Sequence, residues 1–203
     1  MVRVLILNGS FRRGQNTDTL LLPMVEELES AGVHVHTIYL CEQRIGPCMG
    51  CYTCQDIFDG YGCVQRDDMY AVTDEIQACD AFLLATPIYS WYCTAPMKAV
   101  LDRHYGMNKF YGSHPGPSLW AGKQCGIIAT CGYEIPYGTE PFETGIKRLC
   151  EHSDLRYIGM LAERDLDNKA SFETPQAVAN ARTFGRHVLS RLKGETDQPL
   201  NIG

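Results

Sequence analysis

Four of the ten cysteines crowd one short segment, where Cys48, Cys51, Cys54 and Cys63 have the spacing CxxCxxCx8C. Three cysteines so close in sequence can converge on one point, and a fourth can join them from outside the run. Four thiolates suit a 4Fe-4S cluster. Zinc accepts the same donors, although structural zinc sites usually pair two separated CxxC knuckles. Reduced loop cysteines without a metal are the third interpretation, and the sequence leaves all three open.

A second candidate site lies near the start of the chain. An apolar run at residues 2–7 is followed by a polar loop and by a helix that is expected to begin near Thr17. Loop N–H groups, hydroxyls and the helix dipole together favour an anion at such a place. Neither GxxxxGKS/T nor GxGxxG is present, so the triphosphate and dinucleotide fingerprints are absent. The donors favour one terminal phosphate monoester, with an ordinary capped helix as the alternative, and they are Ser10, Arg12, Asn16, Thr17 and Thr19.

Two further loops follow apolar runs later in the chain. The segment TPIYSWYCTAPMKAVLDR, residues 86–103, leads from an apolar strand through an aromatic loop to a helix at Pro96. Such a loop can lay aromatic and backbone groups along a flat ring. The segment TCGYE, residues 130–134, is a loop of small residues that permits the close approach of a ligand to the backbone.

Five apolar runs alternate with helical patterns. They are predicted as strands at residues 2–7, 33–40, 81–86, 125–130 and 155–161. Continuous apolar runs are typical of parallel strands that are covered on both faces. The pattern predicts an α/β fold with a doubly wound, five-stranded parallel sheet, helices on both faces and ligands at the carboxyl ends of the strands. Helices are predicted to begin near Thr17, at Asp67 or Asp68, at Thr94 and Pro96, at Thr139, and at Thr174 and Pro175.

The length of 203 residues is that of one domain. We predict a single domain over residues 1–193, a cysteine-rich loop at 41–66 inserted after the second strand, and a flexible tail at 194–203. The net charge of −6 and the lack of a basic run argue against a nucleic-acid partner. No apolar run has transmembrane length, and the first one is too short for a signal peptide. We therefore expect a cytoplasmic protein without a membrane partner.

Three segments, GSFRRGQNT, TPIYSWYCTAPMKAVLDR and ATCGY, resemble the flavin loops of the NADPH-dependent FMN reductase family, within the flavodoxin-like superfamily. The resemblance covers roughly the first 160 residues in the same order. It implies a flavodoxin-like fold, FMN as cofactor and NAD(P)H as co-substrate. By resemblance, the FMN phosphate is held by Ser10, Arg12, Asn16, Thr17 and Thr19. The isoalloxazine and ribityl groups lie along Pro87, Ile88, Tyr89, Ser90 and Trp91, and the other side is closed by Thr130, Cys131, Gly132 and Tyr133.

The cysteine segment is similar to that of the iron–sulfur flavoproteins, a branch of the same family with a compact cysteine motif after the second strand. The eight residues before Cys63 are more than that branch usually has. The resemblance implies that Cys48, Cys51, Cys54 and Cys63 bind a 4Fe-4S cluster, and that the protein is a homodimer or homotetramer.

The implied function is an oxidoreductase that passes electrons from NAD(P)H to a small-molecule or protein acceptor. The alternatives are a cluster-free NAD(P)H:FMN or quinone reductase and a non-catalytic binding module with a zinc or cysteine knuckle. No catalytic side chain is nominated, because a bound flavin does the redox chemistry itself. The sequence leaves open the electron acceptor and the choice between NADH and NADPH.

Overall fold

The computed structural model describes the whole chain, Met1–Gly203, and contains six strands and five α-helices. The strands are β1 (Arg3–Asn8), β2 (His34–Tyr39), β3 (Ala81–Pro87), β4 (Gln124–Cys131), β5 (Arg156–Arg164) and β6 (Leu200–Ile202). The helices are α1 (Asn16–Ser30), α2 (Met69–Ala78), α3 (Ala95–Asp102), α4 (Ile135–His152) and α5 (Pro175–Leu192).

All six strands are parallel, and their order in the sheet is β2-β1-β3-β4-β5-β6. The first five follow the flavodoxin-like order, in which the chain moves one way from β1 to β2 and the other way from β1 to β3. Loops after β1 and β3 therefore diverge at the carboxyl edge of the sheet and leave a crevice between them. Ligands bind at this switch point in folds of this kind.

Helices cover both faces of the sheet. Successive strand residues point to opposite faces, so Val4 and Ile6 pack with α1 and α5, whereas Leu5 and Leu7 pack with α2, α3 and α4. The continuous apolar runs of the sequence arise from this double burial, and the prediction of an α/β fold with a parallel sheet is confirmed. No helix combines the length and the apolarity that crossing a membrane requires.

The sheet has one strand more than the five that were predicted. β6 pairs in parallel with Gly159, Met160 and Leu161 of β5, and Asn201 Oδ1 accepts a hydrogen bond from Met160 N at 3.1 Å. The flexible tail predicted at residues 194–203 is therefore wrong for Leu200–Ile202. A three-residue edge strand is too short to show a hydrophobic period, and it is held by its neighbour in the sheet.

One helix begins earlier than its sequence suggested. Thr174 caps α5 as predicted, since its Oγ1 accepts from Ala177 N at 3.1 Å. Thr139, however, lies inside α4 and donates to Ile135 O at 2.7 Å. Pro136 explains the difference, because its fixed φ suits the first turn and its missing N–H costs nothing there.

Candidate functional site

A polar cleft lies at the carboxyl edge of the sheet, where the strand order reverses. The loops after β1, β3 and β4 and the end of β5 form it. Ten of the fourteen residues predicted from the three loops line this cleft, so three segments that are distant in the sequence meet at one place. The lining residues are Ser10, Arg12, Gln15, Asn16, Thr17, Pro87, Ile88, Tyr89, Thr130, Cys131, Gly132 and Asp165.

The loop after β1 is shaped by two side chains that bracket it. Asn8 Oδ1 accepts from Ser10 N at 2.9 Å, and Asn8 Nδ2 donates to Asp18 Oδ1 at 2.7 Å. The other oxygen of Asp18 accepts from Gly14 N at 2.5 Å. Asp18 thus organises the loop from within α1 and keeps its carboxylate occupied by donors of the protein itself.

The N-terminus of α1 is open toward the cleft. Gln15 stands at the capping position without a capping hydrogen bond from its side chain. The N–H groups of the first helical turn have no partner inside a helix, so they are available to a ligand. They carry the positive end of the helix dipole, which favours a phosphate at this point.

A close contact with α3 fixes the start of the same loop. The Oγ1 of Thr94 donates to Gly9 O at 2.7 Å. A Cβ at position 9 would lie 2.7 Å from that Oγ1 and 3.0 Å from Met97 Cβ. Glycine is therefore required at position 9, because a side chain would push the loop away from the helix.

The aromatic loop after β3 is a tight hairpin turn. Tyr89 and Tyr92 exchange backbone hydrogen bonds of 2.8 and 3.0 Å. Between them, Ser90 and Trp91 have φ values of 51° and 61°. Two left-handed residues in this position are typical of a type I′ turn, which favours glycine or asparagine. Such strain, about 1–3 kcal/mol for each residue, is concentrated at functional sites in proteins.

This turn places an exposed aromatic surface beside the cleft. The rings of Trp91 and Tyr133 stack with centroids 5.3 Å apart and an interplanar angle of 12°, and Tyr137 meets Trp91 edge-on at 5.8 Å. Trp91 and Tyr133 thus lie outside the cleft lining, next to Tyr89 at its mouth. Ser90 is at the exposed tip of the turn.

Thr19 is not brought into the cleft. Its hydroxyl donates to Gln15 O at 3.1 Å within the first turn of α1. Four of the fourteen predicted residues, Thr19, Ser90, Trp91 and Tyr133, therefore do not line the cleft.

Asp165 is a cleft residue that the sequence reasoning missed. It follows β5 directly, and its N–H donates to Cys131 O at 2.7 Å. Its Oδ2 accepts from Asn16 Nδ2 at 2.6 Å, whereas its Oδ1 is buried without a hydrogen-bond partner. The sequence did contain a signal for it, because Asp165 is an acidic residue directly after the last long strand.

The cleft residues fit FMN by the chemistry of their donors and acceptors. A phosphate only accepts hydrogen bonds, and the open end of α1 and the Arg12 guanidinium supply donors. A ribityl chain carries hydroxyls that donate, and the orphaned Oδ1 of Asp165 is an acceptor that needs a donor. The flat ring would meet Pro87, Ile88 and Tyr89 on one side of the cleft.

The four clustered cysteines line a second cavity, of about 150 Å³, which shares no residue with the cleft. Cys54 and Cys63 are buried, Cys48 is half-buried and Cys51 is exposed. No three His, Cys, Asp or Glu side chains are grouped closely enough to hold a single metal ion. The metal-binding donors among the lining residues are the four thiols, and four thiolates are the ligand set of a 4Fe-4S cluster. Its other lining residues are Met49, Gly50, Tyr52, Tyr61, Val64, Gln65, Arg103, Tyr105 and Gly106.

A buried arginine supports one wall of this cysteine cavity. Arg103 donates to both oxygens of Asp67, at 2.8 and 3.0 Å, to Tyr61 Oη at 2.9 Å and to Gly46 O at 3.0 Å. Burial disfavours the charge of the Asp67 carboxylate, but the hydrogen bonds and charge of Arg103, together with the N–H groups of Gly46 and Met69, outweigh it and lower the pKa of Asp67. Asp67 also accepts from Met69 N at 3.3 Å, so the predicted capping residue of α2 has a second partner.

The Gly- and Pro-rich segment at residues 106–122 closes over the cysteine segment. Gln55, which is fully buried, donates to Tyr105 O at 2.5 Å and to Asn108 O at 3.0 Å, and it accepts from Tyr111 N at 2.9 Å. Asp56 Oδ1 accepts from Ser113 N at 2.7 Å. This long loop thus braces the cysteine cavity.

The thiols of the cavity differ in their acidity. Hydrogen bonds from Thr53 lower the pKa of the exposed Cys51 thiol. Burial raises the pKa of the Cys54 thiol, and a hydrogen bond from Gln55 opposes that effect only in part. Cys51 is thus exposed and has a lowered pKa, which is the environment of a reactive thiol.

The sequence matches that of known flavoproteins. The family model described as NADPH-dependent FMN reductase matches residues 2–136. An iron–sulfur flavoprotein of Archaeoglobus fulgidus is 34% identical over 166 residues, which cover 72% of this chain and 74% of that protein. An iron–sulfur flavoprotein of Methanosarcina thermophila is 30% identical over 97 residues, 48% of this chain and 49% of that protein.

Solved structures share the fold at low sequence identity. An NAD(P)H:quinone oxidoreductase from Methanothermobacter marburgensis has a TM-score of 0.70 and 19% identity, covering 92% of this chain and 95% of that one. An FMN-dependent NADH-azoreductase from Bacillus anthracis has a TM-score of 0.62 and 14% identity, covering 95% and 99%. These likenesses establish the flavodoxin-like fold. Together with the family match over residues 2–136 and the relatives named iron–sulfur flavoproteins, they show that the chain belongs to the NADPH-dependent FMN reductase family, in its iron–sulfur flavoprotein branch, and is a flavin oxidoreductase.

Proposed function

We propose that the protein binds FMN in the cleft and a 4Fe-4S cluster in the cysteine cavity, and that it passes electrons from NAD(P)H to a small-molecule or protein acceptor. One observation carries the flavin site: three separate loops and the open end of α1 converge on a single cleft. For the cluster, the supporting observation is that Cys48, Cys51, Cys54 and Cys63 all line one cavity.

Residues of the cleft bind and orient the flavin. The first turn of α1, Ser10 and Arg12 hold the phosphate, and Asp165 accepts from the ribityl chain. When bound, FMN supplies hydride and single-electron chemistry, which the side chains of the protein do not. The stacked rings of Trp91 and Tyr133 would offer an aromatic surface beside the mouth of the cleft, where the nicotinamide of NAD(P)H could stack.

The thiolates of Cys48, Cys51, Cys54 and Cys63 would hold the cluster by binding its iron atoms. A bound cluster supplies single-electron transfer. Two of these ligands, Cys54 and Cys63, would be buried, and Cys51 would be exposed to solvent. The Arg103–Asp67 ion pair and the hydrogen bonds of Gln55 would hold the segments around the cavity in place.

The visible spectrum, together with iron and sulfide analysis, tests both halves of the proposal. Anaerobically purified protein is expected to show flavin bands, a broad shoulder near 400 nm, and about four iron and four sulfide per chain. Flavin bands without iron would refute the cluster and support a cluster-free reductase. Zinc with no flavin uptake would instead favour a binding module with a cysteine knuckle.

We propose in addition that the chain forms a homodimer or homotetramer, on the basis of the family resemblance. The exposed aromatic surface of Tyr89, Trp91, Tyr133 and Tyr137 is the apolar area available beside the cleft. Light scattering should give a multiple of the 22.7 kDa chain mass. A mass of one chain at micromolar concentration would contradict this assembly.

A further inference from the structure

Lys109 is a fully buried cation without an ion-pair partner. Its residue is 0% exposed, and its Nζ donates to Cys54 O at 2.8 Å and to Tyr61 O at 3.0 Å. Neither acceptor is charged. The other buried cation of this region, Arg103, is neutralised by Asp67. A buried ammonium without an anion is costly, because its lost hydration is repaid only by a nearby negative charge.

The groups that offset the charge of Lys109 lie in the cysteine segment. Burial lowers the pKa of Lys109, while Cys54, Asp59 and Cys63 act in the opposite direction. Asp59 is exposed and forms no ion pair with it. Both hydrogen bonds of Lys109 go to backbone carbonyls of residues that line the cavity, and Gly116 packs against its Cβ, so the ammonium is held in place.

We propose that Lys109 is the counter-charge of an anionic iron–sulfur centre in the cysteine cavity and that it raises the reduction potential of that centre. This inference rests on the proposed cluster. Four thiolates outweigh the positive charge of a 4Fe-4S core, so the centre is an anion, and reduction by one electron makes it more negative. A fixed cation therefore stabilises the reduced form more than the oxidised form, and net charge is one of the determinants of cluster potential.

Two variants at position 109 separate charge from structure. Lys109→Gln removes the charge and keeps a donor for the two backbone carbonyls, whereas Lys109→Met removes both. Lys123→Met is the matched control, because Lys123 Nζ also donates to two carbonyls, Gln77 O and Cys79 O at 2.8 Å, away from the cavity. Flavin stoichiometry reports folding, since the cleft shares no residue with the cavity.

The readout is the cluster potential of the full chain, from a redox titration followed by the electron paramagnetic resonance of the reduced cluster. At the solution potential where the wild-type cluster is half reduced, Lys109→Gln should lower the ratio of reduced to oxidised cluster about tenfold, a shift of about 59 mV for one electron. Lys123→Met should leave that ratio unchanged.

A cluster in Lys109→Gln that titrates as in the wild type would overturn the proposal, and so would an equal shift in Lys123→Met. Wild-type protein that contains flavin but no iron would refute both the proposed cluster and the role of Lys109. If the wild-type protein contains a cluster and Lys109→Gln leaves its potential unchanged, only the role of Lys109 is refuted. If Lys109→Met loses its flavin and Lys109→Gln keeps it, the shift is read from Lys109→Gln.

Discussion

Arg103 and Asp67 form a bidentate ion pair at the wall of the cysteine cavity, with Nη1 to Oδ2 at 2.8 Å and Nη2 to Oδ1 at 3.0 Å. The Arg103 side chain is 1% exposed and that of Asp67 is 17% exposed. Each charge therefore depends on the other. Because Arg103 follows α3 and Asp67 precedes α2, the pair fixes the two helices to each other beside the cavity.

Breaking this pair should destabilise the fold strongly. Arg103→Met leaves the Asp67 carboxylate half-buried without its partner, and we expect a loss of about 3–5 kcal/mol in the free energy of unfolding. The control is Lys98→Met, which breaks the exposed pair of Lys98 and Asp102 and should cost less than about 1 kcal/mol. Urea denaturation followed by circular dichroism gives both values, and equal losses would contradict a special role for the buried pair.

Acid should weaken the same pair. The pKa of Asp67 is lowered in the folded state, so its contribution to stability is complete above the unfolded value of about 3.9 and is lost as pH falls through the folded value. The difference in free energy of unfolding between wild type and Asp67→Asn should be constant from about pH 7 to pH 5 and shrink below about pH 4. A difference that persists undiminished at pH 3 would show that the ion pair is not its source.

Most residues of the cleft could be predicted because the sequence patterns that form it are local. The phosphate loop is a strand, a polar loop and a helix start within about 20 residues, and the aromatic turn is likewise local, so its position follows from sequence order. Asp165 was not predicted, because its partner Asn16 is 149 residues away. Trp91 and Tyr133 were assigned to the ring site, but their stacking on each other depends on how the loops after β3 and β4 meet.

Of the cysteine cavity, only the four cysteines could be predicted from the sequence. The spacing of Cys48, Cys51 and Cys54 marks a cluster of thiols, but nothing local shows that Arg103 and Lys109 are buried behind them. Lysine and arginine are usually exposed. Lys109 is bound to Cys54 O and Tyr61 O, and Arg103 to Gly46, Tyr61 and Asp67. These partners are distant in sequence and lie in segments without periodicity.

The phosphate assignment predicts a selective loss of FMN affinity. Arg12→Ala with Asn16→Ala should weaken FMN binding, because each lost bond to a phosphate is worth about 1.5–3 kcal/mol. Riboflavin lacks the phosphate, so its affinity should fall less than that of FMN; any loss would come from the Asn16 hydrogen bond to Asp165. Arg13→Ala is the matched control, since Arg13 pairs with Glu42 outside the cleft. Fluorescence titration measures all of these affinities, and unchanged FMN affinity in the double variant would refute the assignment.

Asp165 should affect both flavins, because the ribityl chain is common to FMN and riboflavin. Asp165→Ala removes the orphaned acceptor, and we expect each affinity to fall by about 1–3 kcal/mol. Asp167→Ala, two residues further on and exposed, serves as the control. If Asp165→Ala weakened FMN but left riboflavin unchanged, the carboxylate would act on the phosphate loop through Asn16 and not on the ribityl chain.

The two sites should be separable by a single cysteine substitution, because the cavity and the cleft have no lining residue in common. Cys51→Ala removes the exposed thiol of the four, and we expect iron and sulfide per chain to fall to background while FMN stays bound. Cys41→Ala, whose thiol lies outside the cavity, should retain both. Iron, sulfide and flavin are measured on the same preparation. Loss of iron and flavin together in Cys51→Ala would contradict this expectation. Because Cys51 does not line the cleft, FMN would then be lost only if the cysteine segment supports the fold of the cleft.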